Sequence, residues 1–370
     1  MLFEGCGGLF NISLCAPSSS SLPPAYSALC LLISSRESPD TPRPLPLFHA
    51  CLCDDDTAVA QFESRLPEML LGLGLLELYL LAATLGITLF GLVNVLRPDL
   101  SSIINDLVTY GKSVTNQNSK ILQWLAVPKR WFSHFYLVAT FMSLFWLTIV
   151  GAVHMEIIQV DRRLIEWLRM CSSGPVAIHP EAALIFSVLI CLHSIRRLIE
   201  TMVVSVYSDT QMNILHYLVG LIHYVILPIS VVCETTGIAS SEKFTADFNR
   251  ISNLQFAGVA AFLWFSYHQH QCAQKLAKMR KNHHGNITNY AHGIAYGGFF
   301  DYVSCPHFAY EVLLYLSLYL TLNTTQSFTL VVVFVAMNQT IAALITHRWY
   351  IERFGEKYPT KRKAMIPYLL

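Results

Sequence analysis

Residues 264–311 carry the side chains of this sequence that could do chemistry together. The stretch leaves one apolar segment, crosses a basic loop rich in His and Gly, and enters the next apolar segment at Phe308. Lys275 and Arg280, with a second basic cluster at the C-terminus, could clamp phosphate groups, or they could be cations that snorkel at a membrane boundary. A Rossmann domain is excluded because no GxGxxG follows a strand. We therefore expect a loop that binds a ligand or covers one.

Another apolar segment ends with four polar residues. Placing a polar side chain inside a membrane costs free energy, so each is expected to have a partner or a function. The sequence LHSIRRLIE at 192–200 puts Arg196 and Arg197 within one helical turn of both His193 and Glu200. One interpretation is an interfacial Arg–Glu pair. The other is that His193 points into a cavity as a proton donor while the pair frames the mouth of that cavity.

His and aromatic residues in two further apolar segments permit structural and functional interpretations. His134 and Tyr136 lie deeper than an interfacial aromatic belt requires, but single residues of this kind are more often structural. His216 and His223, each followed by Tyr, repeat at seven-residue spacing. Packing between helices explains this stripe as well as catalysis does.

The composition is that of a membrane protein. Charged residues make up 13% of the 370 residues and the apolar set 54%, with a mean hydropathy of +0.45, whereas soluble domains are about one quarter charged. A net charge of +1 excludes the basic bias of a nucleic-acid binder. The ten cysteines show no zinc-like spacing, so we expect no metal site.

Residues 1–68 differ from the rest of the chain. They contain a serine run and a proline-rich cluster, PDTPRPLP, which can form neither a membrane span nor a core. We interpret them as an unstructured or spurious extension, with Met69 as an alternative initiator. A targeting segment is the rival interpretation, although no basic residues precede its apolar part.

The predicted fold class is all-α: a polytopic membrane protein with seven transmembrane helices in residues 69–370. Each predicted segment is near the ~20 residues that a bilayer requires, and the first is interrupted only by Glu77. Lys and Arg concentrate in one alternate set of loops and ends, which predicts a cytosolic 264–311 loop and a cytosolic C-terminus. The segments are 70–96, 132–153, 180–206, 212–233, 254–271, 308–322 and 328–346.

Several motifs resemble the steroid 5α-reductase family. The likeness covers about 69–370, is concentrated in a C-terminal part of about 190–370, and is specific because the motifs occur in order at compatible spacings. Within that family, VPKRWFSHFY at 127–136 and LHSIRRLIE at 192–200 are similar to the polyprenol reductase branch. The family motifs are His268, MRK at 279–281, FDYVSCPHF at 300–308, Glu311, HRWY at 347–350 and YPTKRKAMIP at 358–367.

The resemblance implies a multi-pass enzyme of the endoplasmic reticulum membrane that holds NADPH in a cytosol-facing cavity. Such an enzyme saturates the α-isoprene unit of a polyprenyl lipid on the way to dolichol, the lipid carrier of protein N-glycosylation. Its partners would be that substrate and membrane lipid, without nucleic acid or metal; the oligomeric state stays open. The implied cofactor-binding residues are Arg280, Tyr302, His307, Glu311, His347, Tyr350 and Arg362, with His268 and His292 close to them.

The chain departs from the family pattern at four positions. Ala295 stands where a Pro is usual, Gly298 where an Asp is usual, and Tyr310 where a small residue is usual. These changes predict a looser or differently shaped loop and weaken the assignment of His292 most. Ser194 occupies the place of the tyrosine that steroid-reducing relatives use as proton donor, a difference that the polyprenol branch shares.

The chemistry favours an aldehyde as substrate. Hydride adds to a carbon–carbon double bond only when the bond is polarised, which an α,β-unsaturated aldehyde provides and an allylic alcohol does not. We therefore predict that polyprenal is reduced to dolichal. The substrate oxygen needs a donor where enolate charge develops, with His193 as first choice, helped by Ser194 or Tyr136, and another group or water protonates the α-carbon.

Two other functions are weighed against this prediction. A steroid 3-oxo-4-ene 5α-reductase or a trans-2-enoyl thioester reductase of the same fold is the near alternative. A non-catalytic membrane carrier is the distant one, and it would need internal repeats that this sequence lacks. NADPH binding separates an enzyme from a carrier, and the accepted substrate separates the reductases.

Overall fold

The structure, a computed structural model, is mostly helical and describes residues 72–97, 126–240, 247–322 and 325–370. The predicted extension at 1–68 and the alternative initiator Met69 lie outside these residues. The described helices, in chain order, are α1 Leu75–Leu96, α2 Phe132–His154, α3 Arg162–Cys171, α4 Pro180–Ile199, α5 Ile214–Val232, α6 Asn253–Lys278, α7 Pro306–Leu322 and α8 Gln326–Phe354.

Five of these helices are long and apolar enough to cross a bilayer, which makes the chain a multi-pass membrane protein. They are α1, α2, α4 with its extension to Val204, α5 and α8. The predicted fifth and sixth segments are also helical, as α6 and α7. Because α6 is more polar and α7 has 17 residues, these two do not meet the same criterion.

Helix boundaries differ from the apolar segments where polar residues continue the helical hydrogen bonding. α6 runs to Lys278, beyond the predicted end at 271, and α8 runs to Phe354, beyond 346. α3 lies where no membrane segment is predicted, because it is short and amphipathic; the Asp161 carboxylate accepts from Arg163 N at 2.8 Å at its start. Hydropathy therefore identifies the apolar, membrane-spanning part of a helix but does not identify its polar ends.

A two-stranded antiparallel ladder aligns the starts of α2 and α5. β1, Ala126–Pro128, pairs with β2, Gln211–Asn213, with Val127 opposite Met212. The strands lead into the two helices almost directly, and the Asn213 carboxamide caps α5 by accepting from Leu215 N at 2.8 Å. The first turns of α2 and α5 therefore lie at the same end of the bundle.

The core is aromatic in its centre. Phe186 of α4 and Phe328 of α8 meet edge to face with ring centroids 5.2 Å apart, and the Tyr315 ring of α7 stacks parallel to Phe328 at 6.3 Å. All three side chains are buried. Pairs of this geometry add stability beyond the apolar area that they bury.

The end of the bundle where α1 and α8 begin is closed around two buried carboxylates, Glu77 and Glu234. Glu77 of α1 accepts from Gly74 N at 2.8 Å, from Ser173 Oγ at 2.7 Å and from Gln326 Nε2 at 3.1 Å. None of the ion pairs in the described ranges involves either carboxylate. Neutral donors therefore carry the whole compensation for their burial.

Glu234, just after α5, is held in the same way. It accepts from Ser172 Oγ at 2.8 Å, from Thr325 Oγ1 at 2.6 Å, and from the backbone N–H groups of Gln326 and Ser327 at 2.9 and 2.8 Å. The Ser172 hydroxyl is also 3.2 Å from Glu77. One network thus joins α1, the α3–α4 connection, the end of α5 and the start of α8.

Removing the Glu234 carboxylate should destabilise the protein. In Glu234→Ala the donors lose their acceptor inside a closed site, and each unsatisfied buried donor costs about 1–3 kcal/mol. We expect a loss of about 3 kcal/mol or more, which for this size corresponds to a Tm lower by roughly 6 °C or more in detergent. The control is Glu166→Ala, which removes only an exposed ion pair with Arg162. Equal Tm values for the two variants would contradict the structural role.

Candidate functional site

A cavity of about 600 Å³ lies among α1, α2, α5, α6, α7 and α8, a volume typical of ligand sites. Its polar wall comes from the end of α6, the following loop and the start of α7, and includes Gln269, Arg280 and Glu311. Its apolar wall comes from the middle of α1 and α8 and includes Ile87 and Phe334. The cavity is suited to a ligand with one polar and one apolar end.

Two partly buried arginines beside the cavity share the carboxylate of Glu200, the first residue of a π-helical turn, Glu200–Val204, that extends α4. Its carboxylate accepts from Arg196 Nη1 at 2.5 Å, from Arg197 Nη1, and from His270 Nδ1 at 2.7 Å. Such turns are frequent at functional sites. The arrangement shows that the Arg–Glu pairs form, and of the three residues Arg197 lines the cavity.

Arg197 connects this charge cluster to Tyr136. Its Nε and Nη2 groups donate to the Tyr136 hydroxyl oxygen at 3.1 and 2.8 Å, and the guanidinium carbon lies 4.8 Å from the centre of the ring. Tyr136 and Arg197 both line the cavity. Because the oxygen accepts from two N–H groups, the hydroxyl hydrogen is directed away from Arg197. The Tyr224 side chain also shares a hydrogen bond with Tyr136, so a substrate oxygen in the cavity could accept the Tyr136 hydrogen in competition with Tyr224.

Arg196 reaches the cavity through Gln269. Its Nη2 donates to Gln269 Oε1 at 2.5 Å, and Gln269 Nε2 in turn donates to the Glu311 carboxylate. Glu311 is buried and lines the cavity. His193 lies behind it, with Nε2 3.7 Å from Glu311 Oε1 and Nδ1 3.2 Å from Arg196. Glu311 therefore stands between His193 and the cavity.

The polar mouth of the cavity is organised by Arg280. Its Nη1 donates to Val206 O at 2.6 Å and its Nη2 is 2.6 Å from His292 Nδ1. Partial burial lowers the pKa of Arg280, but a guanidinium remains charged at neutral pH. Tyr350 of α8 lines the same region. A fixed cation at the mouth favours an anionic ligand.

The C-terminal tail is joined to the segment before α7. Val303 pairs with Lys363 as a parallel bridge, and Ser304 N donates to Lys363 O at 2.8 Å. Ser304 Oγ bonds to the Tyr358 hydroxyl and lies 2.6 Å from His347 Nδ1. Burial raises the pKa of Tyr358. Residues far apart in sequence thus form one lobe beside the cavity, which Ser304 lines.

Arg362 of this lobe is buried. Its guanidinium carbon lies 4.6 Å from the centre of the Tyr296 ring and 5.7 Å from that of Tyr358. In the part of the chain that the structure describes, Arg362 Nε has no hydrogen-bond partner. A buried cationic donor without an acceptor fits a ligand that supplies one, such as a phosphate.

The predicted site residues divide into two equal groups. Those in the cavity lining are Tyr136, Arg280, His292, His307, Glu311 and Tyr350. Those outside the lining are His193, Ser194, His268, Tyr302, His347 and Arg362.

Members of the second group have identifiable surroundings. Ser194 Oγ donates to Ile190 O of its own helix at 2.8 Å, so it has a partner there. His268 stacks on Tyr310 with ring centroids 5.7 Å apart. Tyr302 is half exposed, and its ring centroid lies 6.3 Å from that of Tyr368.

The site residues predicted from the sequence do not include Gln269, Ser304 and Tyr358, although the last two lie within the quoted family motifs. Gln269 could have been found from its place inside an apolar segment, four residues before Ala273, which lines the same cavity. Ser304 and Tyr358 meet across 54 residues, and no spacing rule reports such a pair.

The departures from the family pattern have local explanations. Gly298 has φ of 65°, in the left-handed region that favours Gly. Lys275 Nζ donates to Gly297 O at 2.7 Å. Ala295 is buried in a small cluster with Cys272 and Tyr310. The loop is therefore anchored at this point to the end of α6 and the start of α7.

In the described ranges no group of three or more His, Cys, Asp or Glu side chains could hold a metal ion. The polar groups at the mouth are cations and neutral donors, which suit an anionic organic cofactor.

The chain is similar to known proteins in two comparisons. The family model for 3-oxo-5-alpha-steroid 4-dehydrogenase matches residues 233–370. A polyprenal reductase of Caenorhabditis elegans is 41% identical over 304 residues, which are 80% of this chain and 96% of that relative. Polyprenal reductases of Xenopus tropicalis and Homo sapiens are 35% and 31% identical over 73% and 75% of this chain and 89% and 90% of their own.

Proposed function

We propose that this chain, which belongs to the steroid 5α-reductase family and within it to the polyprenal reductases, reduces the α-isoprene double bond of polyprenal with NADPH to give dolichal. The observation that carries the proposal is one cavity with a cationic mouth, a hydroxyl donor held by a guanidinium, and an apolar wall. These three parts match the cofactor phosphates, the aldehyde oxygen and the isoprenoid chain.

NADPH would bind at the mouth and supply the hydride. Arg280, which lines the cavity, would hold its phosphates. Arg362 lies outside the lining and would contribute through its Nε group, which has no hydrogen-bond partner among the described residues. His292, His307, Glu311 and Tyr350 line the cavity and would position the rest of the cofactor; His347 and Tyr302 would act through the lobe formed with the C-terminal tail. His268 would lie at the margin of this set, since it stacks on Tyr310 outside the lining.

Tyr136 would donate to the aldehyde oxygen. The positive charge of Arg197, which contacts the Tyr136 hydroxyl directly, stabilises the negative charge that develops on that oxygen as hydride arrives. His193, the first choice from the sequence, would instead position Glu311, which separates it from the cavity. The donor of this chain then comes from α2, whereas Ser194 of α4 stands at the position of the steroid enzymes' tyrosine.

The isoprenoid chain would lie along the apolar wall and continue into lipid. We propose seven membrane crossings, including α6 and α7, in the endoplasmic reticulum membrane, with the 264–311 loop and the C-terminus in the cytosol. The distribution of Lys and Arg supports this orientation. The product would serve the synthesis of dolichol for protein N-glycosylation.

A substrate panel tests the proposed function. Membranes that carry the full chain receive NADPH with polyprenal, polyprenol or a 4-ene-3-one steroid, and saturated products are measured. We expect product from polyprenal alone, because it combines a polarised double bond with a long apolar chain. Membranes without the protein are the control. Turnover of the steroid alone would make the chain a steroid reductase, as the family model's description suggests.

The donor role of Tyr136 predicts a loss of turnover in Tyr136→Phe. We expect kcat to fall about 100-fold or more, the usual loss for one donor to a developing oxyanion, with NADPH affinity unchanged. The control is Tyr217→Phe, since the Tyr217 hydroxyl bonds to His134 and Tyr217 is not in the cavity lining. A Tyr136→Phe enzyme within threefold of the wild type would remove Tyr136 from the chemistry.

Glu311→Gln and Tyr350→Phe should weaken NADPH binding without unfolding the protein. Each changes one polar group of the cavity wall, and we expect Kd to rise roughly tenfold, about 1.4 kcal/mol. NADPH fluorescence titration of detergent-solubilised protein measures this, with thermal unfolding in parallel and Tyr319→Phe, outside the lining, as control. Affinities equal to that of the wild type would exclude both residues from the cofactor site.

A further inference from the structure

His223 of α5 and Tyr315 of α7 form a buried pair in the cavity wall that the steps above do not use. His223 Nε2 lies 3.0 Å from the Tyr315 hydroxyl, and both residues line the cavity. The His223 ring stacks against Phe334 with centroids 5.2 Å apart. Both side chains are more than nine-tenths buried. Two polar groups in an apolar wall need either mutual satisfaction or a task.

The hydrogen bond between His223 and Tyr315 does not use all the hydrogen-bonding groups of the pair. His223 Nδ1 is buried, and among the residues described it has no hydrogen-bond partner. If the Tyr315 hydroxyl donates to Nε2, the imidazole proton is on Nδ1 and unused. If Nε2 donates to the hydroxyl oxygen, the Tyr315 hydrogen is unused. In either tautomer the pair keeps one hydrogen that it can give to a ligand.

The pair lies close to the residues that would hold the aldehyde. Tyr315 follows Glu311 by one helical turn on α7. His223 precedes Tyr224, whose ring centroid is 5.4 Å from that of Tyr136. The contact with Phe334 marks the beginning of the apolar wall. A ligand with its oxygen at Tyr136 and its chain along the apolar wall passes this pair with its first carbons.

The reaction needs a proton at such a carbon. Hydride adds to the β-carbon with its electron pair, the double-bond electrons move toward the aldehyde carbon, and an enolate forms. The enolate then takes a proton at the α-carbon, and the carbonyl double bond is restored. Since the isoprenoid chain fills the apolar part of the cavity, a group of the wall is better placed than bulk water to deliver this proton.

We propose that the His223–Tyr315 pair delivers the proton to the α-carbon of the substrate, a role that rests on the proposed function. The C–H bond forms as the N–H or O–H bond of the pair breaks, and water at the cavity mouth restores the proton afterwards. Tyr136 and His223 then act as two separate donors, one at oxygen and one at carbon. Delivery from one side of a fixed enolate places the new hydrogen at one of the two prochiral positions of the α-carbon, which becomes a CH2 group.

Deuterium labelling tests the proposal. The full chain in membranes reduces polyprenal with NADPH in deuterium oxide, and the aldehyde is trapped at once with borohydride to prevent exchange. We expect the wild type to place one deuterium at the α-carbon in one configuration. In His223→Phe, which retains an aromatic ring against Phe334, we expect turnover at least tenfold lower and deuterium in both configurations, because water replaces the pair.

Two further variants keep the test decisive. Tyr315→Phe retains His223 as donor, so we expect a several-fold lower rate and a single configuration, and it replaces His223→Phe as the test should that variant not fold. His134→Phe, outside the lining, should match the wild type in both readouts. Wild-type rate and configuration in both His223→Phe and Tyr315→Phe would overturn the proposal while polyprenal reduction stands. Failure of the wild type to reduce polyprenal would instead overturn the proposed function.

Discussion

Two arginines adjacent in sequence, Arg196 and Arg197, enter an apolar bundle, and the compensation of their charges fixes the cavity wall. Removing such a cation from water costs several kcal/mol unless it is paired and its remaining N–H groups are satisfied. Glu200 takes one N–H group from each arginine. Other N–H groups reach Tyr136 on α2 and Gln269 on α6, while Arg196 Nε has no hydrogen-bond partner among the described residues. The same charge cluster therefore joins α2, α4 and α6, and its contacts hold Tyr136 and Gln269 in the cavity wall.

The opposite end of the bundle also buries charged groups, but there they are carboxylates held by neutral donors. Glu77 and Glu234 are fully buried carboxylates held by hydroxyl, amide and backbone donors. Because the donors come from three separate parts of the chain and the two acceptors from α1 and the end of α5, the network holds that end together. Carboxylates whose hydrogen bonds all come from neutral donors suit a purely structural role. The arginine cluster at the cavity, in contrast, has N–H groups that bond to residues of the cavity wall. A buried charge alone therefore does not distinguish a ligand site from a structural network. The two differ in whether the hydrogen bonds of the charged group reach residues that line a cavity.

Hydropathy predicted the helices well because crossing a bilayer constrains length and composition directly. The second predicted segment, 132–153, matches α2 within one residue. The amphipathic α3 and the polar end of α6 fall outside what that constraint reports. For the site, spacing within one helix predicted the pairing of Arg196 and Arg197 with Glu200, which is local. It could not predict that Glu311 from another helix would stand between His193 and the cavity, since that depends on the rotation and depth of packed helices.

The proposed change of donor from α4 to α2 would follow from the same geometry. What the chemistry requires is a hydroxyl hydrogen near the substrate oxygen with positive charge beside it, and neither requirement specifies a helix. Arg197 lies at the end of α4 and reaches across to Tyr136 in the second turn of α2. A serine at 194 can then turn its hydroxyl to its own helix without loss. In this proposal α4 would supply the positive charge, through Arg197, and α2 would supply the hydroxyl hydrogen, through Tyr136.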